Sequence, residues 1–214
     1  MRPTPTRPGF TRTLAPALAA LLVLAGCAAA PGPQYYSLAE TTSPGPAQPA
    51  AAAPVYIELA PIAMPERFAR PQFVVRKKEA PEGVQVDILE QHRWSSSFEN
   101  ELRDALGSGV ARRLGAVDLT KTGRQRGQQP IRIAVQLRQF DAIEGSRVDA
   151  SFSWTLRRGD DGPSTACQAD FSESVESGFD ALARGAQRAT ARLADAIAGS
   201  VNAMQARPSP ACAG

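Results

Sequence analysis

The sequence holds a single histidine, His92. A Ser-His-Asp or Cys-His site would have to use it, and so would most zinc sites. It sits beside Arg93 and Trp94 at an expected helix start, in no metal-spaced cluster, and reads as a boundary or cap residue. The chain has no Walker loop, no G-x-S-x-G and no G-x-G-x-x-G, so the signatures of nucleotide hydrolysis, hydrolase chemistry and dinucleotide binding are missing. Asp160-Asp161 lies in a GDDG turn, where paired acids are ordinarily solvated. No catalytic residue, metal site or cofactor is expected, and the chain does not read as an enzyme. Long apolar runs are also scarce. Residues 14–25, LAPALAALLVLA, are the one such run, and a bilayer-spanning helix needs roughly 20 apolar residues. No internal repeat is visible.

That short run defines the start of the chain. Residues 1–13 are polar and carry Arg2, Arg7 and Arg12 with no acid. A basic segment, an apolar segment of about a dozen residues and small residues after it make a secretory signal. Leu24-Ala25-Gly26-Cys27 resembles the lipobox of bacterial lipoproteins, in which cleavage precedes the cysteine and the new N-terminal Cys is acylated. The resemblance makes residues 1–26 a signal peptide and Cys27 a membrane tether carrying fatty acyl chains such as palmitate. The alternative is an ordinary secretory signal with an incidental cysteine. Ala28 stands where an Asp would resemble the inner-membrane retention signal, so the expected location is the periplasmic face of the outer membrane. The whole chain carries a net charge of +3, with 24 basic and 21 acidic residues; without the three leader arginines 21 bases face 21 acids. The apparent basicity belongs to the export signal, and nucleic acid is not an expected partner.

Residues 40–54, ETTSPGPAQPAAAAP, cannot bury a core and read as an extended spacer. Residues 27–54 are therefore an acylated, flexible tether, interrupted by QYYSL at residues 34–38 as a short docking strand. Slack is expected from residues 28–34 and 40–54. Residues 55–205 form one domain, and 206–214 an irregular tail. Period-two alternation marks strands in VYIEL, VQVDI, IRIAVQL, VDASFSWTL and TACQADFSESV. The last three read as an antiparallel meander with one buried and one wet face. In VQVDI the alternation groups Val84, Val86 and Ile88. Trp94, Phe98, Leu102, Leu106, Val110 and Leu114 recur every fourth residue and predict a helix over 92–114, weakened by Gly107 and Gly109. Phe179, Leu182, Ala186, Ala189, Leu193, Ile197, Val201 and Met204 predict a second helix, with Ser177 and Asp180 as its capping box. The expected class is α+β: a mostly antiparallel sheet with two amphipathic helices on one face. Arg76-Lys77-Lys78 and Lys121, Arg124 and Arg126 are short basic runs. They read as solvated loop faces, with phospholipid headgroups or a partner as the sharper alternative.

Residues 64–115 resemble the ABC-type transport auxiliary lipoproteins of the PqiC/YmbA kind. Arg70, Pro71 and Gln72 match the family's core triplet, after Pro65. Arg76 closes the following strand, and Arg93-Trp94 open the helix. Tyr35, Tyr36, Ser37 and Leu38 match an early Y-Y-x-L. Ala69 departs from the family's usual Asp. The resemblance implies a non-enzymatic accessory subunit of a lipid transport system, docking a periplasmic MCE-domain protein. The alternatives are an outer-membrane assembly or envelope-integrity lipoprotein and, third, a lipid carrier; a homo-oligomer is compatible with each. With Cys27 acylated, Cys167 and Cys212 are the remaining thiols. An oxidising periplasm favours an intramolecular disulfide between them, against a free buried Cys167 or an intermolecular bridge.

Overall fold

The structure is a computed structural model that describes residues 32–40, 54–77, 84–206 and 212. The leader, Cys27, Ala28, Lys78, most of the spacer and the tail apart from Ala206, which ends the last helix, and Cys212 lie outside the described residues.

The elements run β1 (Gln34–Tyr36), β2 (Tyr56–Leu59), a 3-10 turn (Glu66–Phe68), β3 (Gln72–Arg76), β4 (Val86–Trp94), α1 (Phe98–Leu114), β5 (Val117–Asp118), β6 (Ile131–Ile143), β7 (Arg147–Arg158), β8 (Ser164–Ser174) and α2 (Phe179–Ala206). The fold is α+β, with a five-stranded sheet ordered β5-β2-β6-β7-β8 and a three-stranded sheet ordered β1-β4-β3. Both sheets are mixed, so the antiparallel expectation holds only roughly. The β6-β7-β8 meander and the β3-β4 pair are antiparallel; β2 runs parallel to β5 and β6, and β1 parallel to β4.

Alternation in the meander buries one face. Ile133, Val135 and Leu137 of β6, Phe152, Trp154 and Leu156 of β7, and Cys167 and Phe171 of β8 are buried, while Arg132, Ala134 and Gln136 face outward. α1 and α2 pack on each other and on the sheet, and one continuous apolar core joins all these elements. Small residues set the close approach. A Cβ on Gly109 would stand 3.2 Å from the Ala194 Cβ on α2, and one on Gly185 would stand 2.4 Å from Val175 Cγ1. Gly109 thus weakens helix propensity but admits the neighbouring helix.

Two local expectations fail. Trp94 does not open a helix: it ends β4, and α1 begins at Phe98 behind Ser97, whose hydroxyl accepts the Asn100 N–H at 3.3 Å. Val86 and Ile88 share a face as grouped, and they and Val84 are exposed. No Ser177–Asp180 box starts α2. Gly178, at φ +100°, takes the cap position, and its carbonyl accepts the Ala181 and Leu182 N–H groups. Among the described residues, no helix is long and apolar enough to cross a membrane.

Candidate functional site

Arg70, Pro71, Gln72, Arg93 and Trp94, far apart in sequence, meet across one seam. The Pro71 carbonyl accepts the Trp94 N–H at 2.7 Å, and the Arg70 carbonyl accepts the Phe98 N–H at 3.3 Å. Gln72 pairs with Arg93 but Phe73 pairs with Leu89, so Glu90, Gln91 and His92 bulge out of the ladder. Arg93 closes this bulge from within: its guanidinium donates to the Glu90 carbonyl at 2.7 Å and to the Glu90 carboxylate at 2.9 Å. The Gln72 amide donates to the same carboxylate at 3.2 Å. Below the seam, Trp94 stacks on Phe73 at 4.3 Å and on Phe98 at 5.3 Å. Arg76, the last residue of β3, donates twice to one oxygen of Asp141 on β6, at 2.9 and 2.5 Å. The motif therefore turns the chain from sheet into helix and ties the small sheet to the large one. Ala69 is exposed, and Arg70 Nε is buried with no hydrogen-bond partner among the described residues.

The seam also receives the chain's N-terminal strap. β1 lies along the last residues of β4, with Tyr36 opposite Trp94. The Tyr36 ring stacks on Phe73 at 4.8 Å. Its hydroxyl donates to Gln34 Oε1 at 2.9 Å and lies 3.1 Å from His92 Nδ1. Burial, and then the Asp180 carboxylate nearby, push the Tyr36 phenol up to about 12. His92 is held on its other side by Phe179, ring centroids 4.0 Å apart. The sole histidine thus packs between the strap and α2.

Glu101, which sequence reasoning missed, clasps the strap. Its carboxylate is buried and accepts the Leu38 N–H at 2.9 Å and hydroxyls of Ser37 at 3.0 Å, Ser95 at 2.5 Å and Ser96 at 3.3 Å. A buried carboxylate requires such donors, because an unpaired one would be expelled or protonated. Leu38 is fully buried beside it, Gln187 donates to the Ser37 carbonyl at 2.7 Å, and Glu40 pairs with Arg112 and Arg113. One signal was present: Glu101 lies three residues after Phe98 and four before Ala105, a charge on the buried stripe of α1. Glu101→Ala should free the strap. Losing a charge-assisted hydrogen bond costs about 1.5–3 kcal/mol, so the Leu38 amide should exchange roughly 10- to 100-fold faster, with the centre of α2 unchanged. Equal slowing or speeding of both segments would show that Glu101 has no local role.

Two further carboxylates are tuned by arginine. Glu58 is held below its usual value by a hydrogen bond from Arg124, against partial burial. At Glu173 burial is the largest effect and pushes upward, but Arg192 and Arg188 together outweigh it and the carboxyl ends below its usual value. Both folded values are depressed, so each pair stabilises the fold above the ordinary value of 4.5 and loses that contribution as pH falls through the lower folded value. Glu58→Gln with Glu173→Gln should therefore flatten the acid limb of stability, read as the urea midpoint between about pH 3 and 6. An unchanged slope would remove both pairs from the pH response.

No group of three His, Cys, Asp or Glu side chains is placed to hold a metal among the described residues. The void lined by Phe68, Phe73, Trp94, Phe98 and Phe140 measures about 10 Å³, room for a water and not for an acyl chain. Cys167, buried on β8, is joined to Cys212 by a disulfide, with Cα atoms 5.6 Å apart.

The family model described as "ABC-type transport auxiliary lipoprotein component" matches residues 36–198. None of the curated proteins matches the chain. Among solved structures, one of an uncharacterized protein superposes with a TM-score of 0.62 at 17% identity, covering 80% of this chain and 99% of that one. Another, from Xanthomonas campestris and of the DUF330 family model, gives 0.55 at 14% identity, covering 74% and 92%. At these identities the two structures speak to the fold alone.

Proposed function

Because the chain belongs to the ABC-type transport auxiliary lipoprotein family, we propose that it is the lipid-anchored, non-enzymatic docking subunit of an MCE-type intermembrane lipid transport system at the outer membrane. Cys27 is its acylated anchor. The observation that carries this reading is the strap: residues 34–40 are clasped by Glu101, Gln187 and the two arginines, so a pull on the N-terminus is borne by the folded domain.

Two measurements test it. Cys27→Ala should abolish fatty-acid labelling and release the protein from outer-membrane fractions; undiminished label rejects the anchor. Crosslinking in intact cells should then recover an MCE-domain protein with the wild-type chain. Recovery of barrel-assembly or peptidoglycan-linked proteins instead would favour the envelope-integrity alternative.

A further inference from the structure

Among the described residues, the exposed large apolar side chains are Tyr35 at 62%, Val84 at 78%, Val86 at 43%, Ile88 at 43% and, elsewhere, Val117. The first four share one surface. Ile88 pairs with Val74 and Val86 with Arg76, while Tyr35 pairs with Arg93 and Arg93 with Gln72. Gln72, Val74 and Arg76 alternate along β3, so all these residues point to the same side of the small sheet. Val84 continues the alternation. On β3 this side is covered, because Val74 is buried in the core and Arg76 reaches Asp141 on β6, whereas at Tyr35 of β1 and at Val86 and Ile88 of β4 it is exposed.

The position of this surface along the chain decides what covers it. Seven peptide steps separate Cys27 from Gln34, the first residue of β1. A fully extended chain spans at most about 3.3–3.6 Å per residue, so that stretch reaches no more than about 25 Å. The spacer at residues 40–54 adds nothing, because it follows the docked strap. Tyr35 is the next residue in the chain. We infer that the outward face of the small sheet, with Tyr35, Val84, Val86 and Ile88, rests in the interfacial region of the phospholipid leaflet that carries the anchor. This rests on the acylation of Cys27 proposed above.

The chemistry fits a lipid interface. Tyrosine favours the headgroup level, with its ring toward the acyl chains and its hydroxyl toward water. Four side chains hold a free protein on a bilayer only weakly, but a short tether makes the contact intramolecular and so populates it. Charge contributes little. Arg76 pairs with Asp141 and Arg93 with Glu90, so each of these two cations of the face has an acidic partner. The contact therefore depends on apolar burial and not on anionic lipid.

The test uses the acylated full-length mature chain with its disulfide intact, carrying Ile88→Cys labelled with an environment-sensitive fluorophore. It is reconstituted into phosphatidylethanolamine/phosphatidylcholine vesicles, with and without phosphatidylglycerol. The expected result is a blue-shifted emission quenched several-fold more strongly by nitroxide-labelled lipid than a label at Asp161→Cys in the β7–β8 turn, equally in both lipid mixtures. Val86→Ser with Ile88→Ser, both exposed positions, should reduce the quenching of a label at Val84→Cys. A label at residue 88 that stays wet overturns the inference, as does one protected from water in proportion to protein concentration but untouched by lipid quencher, which would mark contact between copies of the chain. Dependence of the quenching on phosphatidylglycerol would overturn the apolar basis. Intact mass of the same preparation separates the two readings. Absence of acyl chains overturns the anchor and this inference together, whereas an acylated chain with a wet label overturns this inference alone.

Discussion

Trp94→Ala should lower the stability of the domain by about 3–5 kcal/mol, the usual cost of truncating a buried tryptophan. The side chain is 5% exposed and lies between Phe73 and Phe98, with Phe98 in turn 5.0 Å from Phe140. Removing the indole opens a cavity where the small sheet, α1 and β6 meet, and these elements cannot all close on it at once. The backbone bond from Trp94 to Pro71 survives the substitution, so the loss is one of packing. For a domain of this size the melting temperature should fall on the order of 10 °C. Trp94→Phe should recover part of it. A shift of only a degree or two would mean that the site collapses without strain, and that the seam is not central to stability.

Breaking the Cys167–Cys212 bond should have a comparable effect. The two residues are 45 apart in sequence, and in the chain-entropy model a closed loop of that length contributes roughly 4 kcal/mol, an upper figure. Cys212→Ser is the cleaner variant because Cys212 is exposed, whereas Cys167 is part of the core. The urea midpoint should fall and the slope of the transition should steepen, since the unfolded chain is no longer closed on itself. Reduction of the wild type should reproduce both changes. If midpoint and slope stay as they were, the thiols do not bridge in solution.

Sequence and structure part company at identifiable residues. The β6-β7-β8 meander and α2 were legible because one face of each is wet, so water and core print a period directly onto the chain. The burial of Trp94 was legible too, but its element was not. Its four-residue spacing from Phe98 joins the end of a strand to a helix across the Ser95–Ser97 turn, and both ends face the same core. Those positions obey a shared environment and not a shared helix.

What the sequence by itself determined is the local layer: the α+β class, the meander, α2 and a motif specific enough to mark the family. The tertiary structure alone decided three further matters. Alternation in VQVDI separates two faces but is symmetric between them, so only the tertiary structure shows that Val86 and Ile88 are exposed. The parallel pairing of β1 with β4 joins residues 58 apart, a contact no local pattern encodes. Glu101 stands out in the sequence only as a charge on the apolar stripe of α1, which does not say what it holds. Its role exists only where Ser37 and Leu38 arrive from more than 60 residues away with donors for a carboxylate that has left water.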